Sequence, residues 1–264
     1  MPFFPILNSN FAKGFTTAHN FSPNNWEKIS EHKKNIWAIY SNGDCWKTKH
    51  LGEIGRGESK TFYYDDILKI KDQISFPLVL LQLRKSHLEN NLDYLPSQEL
   101  GFTKSPEWRA TVGLELNQNQ TSYQGEINPF PKKASLLTFH PFIQPKIATN
   151  NFIFINLEGN PSFREEDLEI YDSRTKKIID VVSIKSNNVN EIQLDKYNLS
   201  AKKLPVFLCR RMAGIPFGFG LSKKYNLLSL EHTHPPGSFV VHGDRFQIQR
   251  EIKTKWFNIL KRNA

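Results

Sequence analysis

The densest run of chemically capable side chains is Glu231-His232-Thr233-His234-Pro235-Pro236-Gly237, followed closely by His242-Gly243-Asp244. Three of the eight histidines of the chain fall in it. In an extended strand His232 and His234 point to the same face. His242 and Asp244 also share a parity, so a Pro-Gly turn between two strands can bring all four together. Two imidazoles joined by a third nitrogen or a carboxylate bind Zn²⁺ or Fe²⁺, and a metal held this way activates water. The expected metal ligands are therefore His232, His234, His242 and Asp244. The chemistry they imply is a metal-dependent hydrolase or lyase. The competing reading is a set of surface or hydrogen-bonded histidines beside a Pro-Pro turn.

A second constellation joins Arg109, the turn Ser122-Tyr123-Gln124-Gly125-Glu126, and His140. A strand carrying Arg109 and a turn carrying Tyr123 and Glu126 can line a polar pocket for a sugar or a carboxylate, since the planar guanidinium fork suits oxyanions. The competing reading is a surface Arg–Glu pair beside a hairpin turn at Gly125. Cys45 and Cys209 lack a charged trigger and are too few for a disulfide scaffold. The phosphate-loop, dinucleotide and nucleophile-elbow signatures are absent. Gly214-Ile215-Pro216-Phe217-Gly218-Phe219-Gly220 is Gly-rich without their Lys or Ser/Thr, and reads as a bend or a close backbone contact. The tetrad His232-Thr233-His234-Pro235 resembles the His-x-His-Pro core of JAMM-type metalloproteases. The Ser and Asp that follow in that family are Gly243 and Phe246 here, so the resemblance stops at the tetrad and no family is assigned from it.

The elements that must position these groups are mostly strands. Ile36 to Tyr40, Thr61 to Tyr64, Phe76 to Leu81, Arg109 to Leu116 and Ser135 to Phe139 are β-prone runs in the first half. Phe152 to Asn156, Leu168 to Tyr171, Ile178 to Ile184, Glu191 to Leu194 and Val206 to Cys209 follow in the second. Ser41-Asn42-Gly43-Asp44 is a hairpin signal. The halves match at three anchors: Trp37–Gly43 with Ile153–Gly159, Ile54 and Thr61–Asp65 with Ile184 and Glu191–Asp195, and Phe76–Leu80 with Leu204–Leu208. The expected architecture is mostly β, two tandem β-sandwich-like units with a C-terminal helix. Residues 1–35 form an irregular lead-in, 36–150 and 151–245 the two units, and 246–264 an amphipathic helix with Ile248, Ile252, Trp256 and Ile259 or Leu260 along one stripe. The histidine-rich turn has no counterpart in the first half, where His87 stands without a second histidine nearby.

Length and composition bound the rest. The 264 residues, with 20 Phe, suffice for packed cores. The net charge of +9 favours an anionic partner, although the basic residues are scattered. No run approaches the ~18 apolar residues of a membrane span. The N-terminal residues lack the pattern of a signal peptide, and a cytoplasmic location is expected. The first functional expectation is a β-sandwich binding or assembly protein that recognises a glycan, a small anionic ligand or a protein partner. The metal-dependent enzyme is the alternative. Nucleic-acid binding through the basic tail is the weakest of the three.

Overall fold

The computed structural model describes residues 3–20, 33–70, 73–97, 110–139, 146–200, 204–222, 224, 226–232 and 245–262. They form eighteen strands. The first ten are β1 (Phe4–Ile6), β2 (Lys13–His19), β3 (Lys34–Ser41), β4 (Trp46–Ile54), β5 (Ser59–Tyr63), β6 (Ser75–Pro77), β7 (Val79–Arg84), β8 (Asn91–Leu92), β9 (Ala110–Leu116) and β10 (Asn119–Gly125). The remainder are β11 (Leu136–Phe139), β12 (Thr149–Ile155), β13 (Glu165–Asp172), β14 (Ile178–Lys185), β15 (Asn188–Gln193), β16 (Pro205–Cys209), β17 (Ile215–Ser222) and β18 (Leu227–His232). A single helical turn, α1 (Tyr64–Ile67), follows β5, and a long helix, α2 (Arg245–Arg262), ends the described chain. The mostly-β, two-sandwich architecture with a C-terminal helix is thus what the chain adopts. The lead-in 1–35, read as irregular, carries β1 and β2, and the boundary expected at 150 falls inside β12.

The chain divides into two compact units. The first holds residues 1–129 together with 157–163 and 187–189, and the second holds 130–156, 164–186 and 190–264. In the first, one sheet runs β1-β7-β3-β4-β8 and the other β10-β9-β2-β5. In the second, one sheet runs β11-β16-β13-β14 and the other contains β18-β17-β12-β15 in that order. Setting aside the short β6 and β8, both units use one strand order. The first, sixth, third and fourth strands make one sheet, and the eighth, seventh, second and fifth make the other. Two of the three sequence anchors fall on equivalent strands, β4–β5 with β14–β15 and β7 with β16. The first anchor is displaced by one strand, because the counterpart of β3 is β13 and that of β12 is β2.

Alternation along the strands builds each core. In the second unit Phe152 and Phe154 of β12, Leu168 and Ile170 of β13, and Phe207 and Cys209 of β16 interdigitate between the sheets. Phe152 and Phe207 stack with centroids 3.8 Å apart. The intervening residues of the β13–β16 sheet, Tyr171, Val206 and Leu208, point the other way and are covered by Trp256, Phe257 and Leu260 of α2. β16 is therefore buried on both faces. Lys176, at φ 62° in the β13–β14 turn, lays its ammonium 3.7 Å from the centre of the Trp256 ring. Arg210 forms a two-pronged pair with Glu169 at 2.7 and 3.0 Å, and Tyr171 donates to the same carboxylate at 2.6 Å. Of the predicted helical stripe, Trp256 and Leu260 pack, whereas Ile248 and Ile252 remain about half exposed.

In the first unit Thr16 donates to the Pro5 carbonyl at 2.7 Å, so Gly14, Thr16 and Ala18 face the opposing sheet. An added Cβ on Gly14 would lie 1.5 Å from the Leu7 carbonyl oxygen, which is why that strand position is glycine. The predicted Ser41–Asp44 turn forms: Gly43 has φ 100°, and the Asn42 side-chain oxygen accepts from the backbone N–H groups of Asp44 and Cys45.

Candidate functional site

Of the expected metal ligands, only His232 lies within the described residues; His234, His242 and Asp244 lie outside them. His232 closes β18, registered against Phe217 with ring centroids 6.2 Å apart. Its row across the sheet is apolar, since Phe217 is itself opposite Ile153. Among the described residues no group of three or more His, Cys, Asp or Glu is gathered for a metal. Both cysteines are free, and burial pushes the Cys209 thiol up.

Arg109 and His140 of the second constellation also lie outside the described residues. Tyr123 sits on β10 opposite Val112, which is registered in turn with Thr16. Tyr123 therefore belongs to the core-facing side, and burial drives its hydroxyl well above the ordinary phenol range. Its ring covers Gly125, where an added Cβ would lie 2.1 Å from a ring carbon. Glu126 follows β10, half-buried, beside the Ile127–Phe3 bridge.

The opposite face of the same sheet gathers polar groups that sequence spacing does not bring together. One row across four strands reads Thr61, Thr17, Thr111, Gln124. The next reads Tyr63, Phe15, Gly113, Ser122, and a third Lys13, Glu115, Gln120. His19 lies opposite Ser59. Ser59, Thr61, Gln120, Ser122 and Gln124 are exposed, and Thr17, His19, Tyr63, Thr111 and Glu115 are partly so. Cross-strand hydrogen bonds hold the array: Thr17 to Thr61 at 2.8 Å, Tyr63 donating to Glu115 at 3.0 Å, and Gln120 donating to the same carboxylate at 2.5 Å. The His19 ring bridges the Ser59 hydroxyl at 2.7 Å and the Thr111 hydroxyl at 3.2 Å. Burial holds its imidazole below the usual value. Phe15 is buried against Tyr63, with centroids 6.1 Å apart, and lies over Gly113, where a Cβ would meet its ring at 2.6 Å. The equivalent face of the second unit carries Ile153, Ile155, Phe217 and Phe219, all buried.

A second cluster lies on the other sheet of the first unit. Trp37 of β3, His50 of β4 and His87 beyond β7 form a ring trio, with centroids 4.9 Å (Trp37–His50), 6.0 Å (Trp37–His87) and 5.9 Å (His50–His87) apart. His87, alone in the sequence, thus gains a second imidazole from a strand more than thirty residues earlier. Asn35 donates to the Lys85 carbonyl, so its oxygen accepts from His50 Nε2 at 2.9 Å. Gln82 is registered opposite Trp37, and Arg84 opposite Asn35. The signal that finds both clusters is strand pairing, which no spacing along the chain reveals.

Comparison with protein-family models, with curated proteins and with solved structures finds no match to this chain. Among the described residues no helix is long and apolar enough to cross a membrane.

Proposed function

We propose that the protein is a binding module that recognises a hydroxyl-rich ligand, a glycan, on the open face of the sheet β10-β9-β2-β5. The observation that carries this reading is the registered array Thr61–Thr17–Thr111–Gln124, flanked by Ser59–His19 on one side and by Tyr63 and Ser122 on the other. Hydroxyls and carboxamides both donate and accept, which matches the mixed valence of sugar hydroxyls. The strands fix their spacing before a ligand arrives, which lowers the ordering cost of binding. Tyr63 adds an aromatic edge with a polar tip. The rows carry one lysine, Lys13, and one carboxylate, Glu115, so the face lacks the cationic series that a phosphate backbone requires. Ser59 and His19 stand at the distance of a nucleophile and its base, but both ring nitrogens of His19 are occupied by hydroxyls. That arrangement favours a cross-strand tie over acyl transfer.

The test is retention on immobilised polysaccharides, followed by titration of the oligosaccharide from the best-retained polymer. Thr17→Val combined with Thr61→Val removes two hydroxyls at nearly constant volume. At about 0.5–1.5 kcal/mol per hydrogen bond, the pair should weaken binding by about 5- to 150-fold. Equal retention of the double variant and the wild type would overturn the reading.

A further inference from the structure

The Trp37 cluster holds two buried donors with no acceptor among the described residues. Trp37 is 5% exposed and Gln82 is fully buried. Among the described residues neither Trp37 Nε1 nor Gln82 Nε2 has a hydrogen-bond partner. The orientation of the Gln82 amide is determined by its neighbour. Arg84 Nη1 lies 3.0 Å from Gln82 Oε1, and because arginine only donates, the atom it meets must be the oxygen. The NH₂ is therefore the group left over. An indole N–H is likewise a donor only. Trp37 and Gln82 are directly opposite in register, so both lie on one side of the sheet. Leaving buried donors unmade is costly, and each such group calls for an explanation.

The surroundings indicate what kind of acceptor fits. Arg84 is fixed alongside, its guanidinium donating to Ser86 Oγ at 3.2 Å and to the Ser97 carbonyl at 2.7 Å. His50 and His87 rim the cluster and are exposed. His50 donates its Nε2 hydrogen to the Asn35 side-chain oxygen, which fixes its ring at the rim. No carboxylate bonds Trp37, Gln82, His50 or His87 among the described residues. The chain's charge of +9 further favours anions. We infer that Trp37 Nε1 and Gln82 Nε2, backed by Arg84 and approached past His50 and His87, form an oxyanion-binding site for a carboxylate or for a phosphate or sulfate group. The site lies on the sheet opposite the glycan-binding face proposed above and does not depend on that assignment.

The experiment uses the full chain labelled with ¹⁵N. The five tryptophans give five indole N–H signals, and the one lost in Trp37→Phe identifies Trp37. Inorganic phosphate, sulfate and acetate are added separately, at constant ionic strength set with chloride. The expected result is a saturable shift of the Trp37 indole signal with at least one of the three. Phosphate or sulfate acting alone assigns a tetrahedral oxyanion, and acetate acting alone assigns a carboxylate. Gln82→Glu keeps the acceptor for Arg84 and removes the donor, and it should weaken the same titration at least tenfold. His87→Gln, at the exposed rim, should weaken it severalfold without loss of fold. A Trp37 signal that does not move with any of the three ions overturns the proposal. So does a saturable shift that Gln82→Glu, shown folded by its spectrum, leaves unchanged.

Discussion

At Gly14 a single methyl has no room, because the Leu7 carbonyl occupies the place a Cβ would take. Gly14→Ala should cost about 1–3 kcal/mol, read as a lowered urea midpoint. Gly159→Ala, with nothing within 4 Å and no positive φ, should leave it within error. His19 gives a pH signature. Burial lowers its imidazole pKa, so the stability tied to its neutral form is present above the ordinary value near 6.5 and is lost as pH falls through the folded value. The melting temperature should fall on acidification from pH 7 to pH 5, and His19→Gln should flatten that fall. Equal slopes for the two proteins would show that His19 does not set this pH dependence. The sequence singles out Tyr123 by its type, yet the alternation of β10 turns it toward the core. It passes over Thr17, Thr61 and Thr111, because threonine is so common in strands that only cross-strand register gives the three a shared meaning.

Among the described side chains of α2, those that dock the helix run from Lys253, which donates to the Ser135 carbonyl, to Leu260. Trp256 meets Phe139 edge-on at 5.0 Å and receives the Lys176 ammonium on its face, while Leu260 is fully buried. Trp256→Ala should destabilise by on the order of 2 kcal/mol, less than deletion of a fully enclosed aromatic. Ile248→Gln, at a half-exposed position, should change stability by less than about 0.5 kcal/mol. Equal effects would mean that the helix docks along its whole length. Helical spacing located this element but not the rotation of its two ends, because Ile248 and Trp256 fit the same stripe equally well. Apolar strands such as β3, β12 and β16 were legible as runs of Ile, Val and Phe. β4 and β10 were not, since WKTKHLGEI and NQTSYQG are polar surface strands; β4 is held by pairing with β3 and β8, and β10, at the edge of its sheet, by its full-length register with β9. β17 reads as a bend because of its glycines, but Gly218 is registered opposite Phe152, whose ring stacks in the core, so a strand tolerates the small residue there.

Over the whole molecule, one strand order is used twice and its surfaces diverge. The face built on β2 and β9 is a hydroxyl array, and its counterpart on β12 and β17 is apolar. The sequence pointed to the second half for function because its histidines cluster along the chain; strand pairing assembles a polar surface on the first half. Tyrosines buried in both units impose a common limit at high pH. Burial, reinforced by the hydrogen bond to Glu169, pushes Tyr171 up to about 12, and burial drives Tyr64, Tyr123 and Tyr197 higher still. Stability from these groups is complete below the ordinary tyrosine value near 10 and is lost as pH rises through their folded values. The urea midpoint should therefore fall between pH 10 and pH 12, with ionised phenol absorbance appearing as the protein unfolds; a midpoint constant across that range would contradict the burial of these hydroxyls. Ligand binding on the open sheet face is tested by backbone ¹H–¹⁵N shift mapping of the full chain during titration with the oligosaccharide of its best-retained polysaccharide. Saturable shifts are expected to concentrate at Thr17, His19, Thr61, Thr111, Ser122 and Gln124. Shifts that saturate elsewhere in the chain while these six stay fixed would contradict binding on this face.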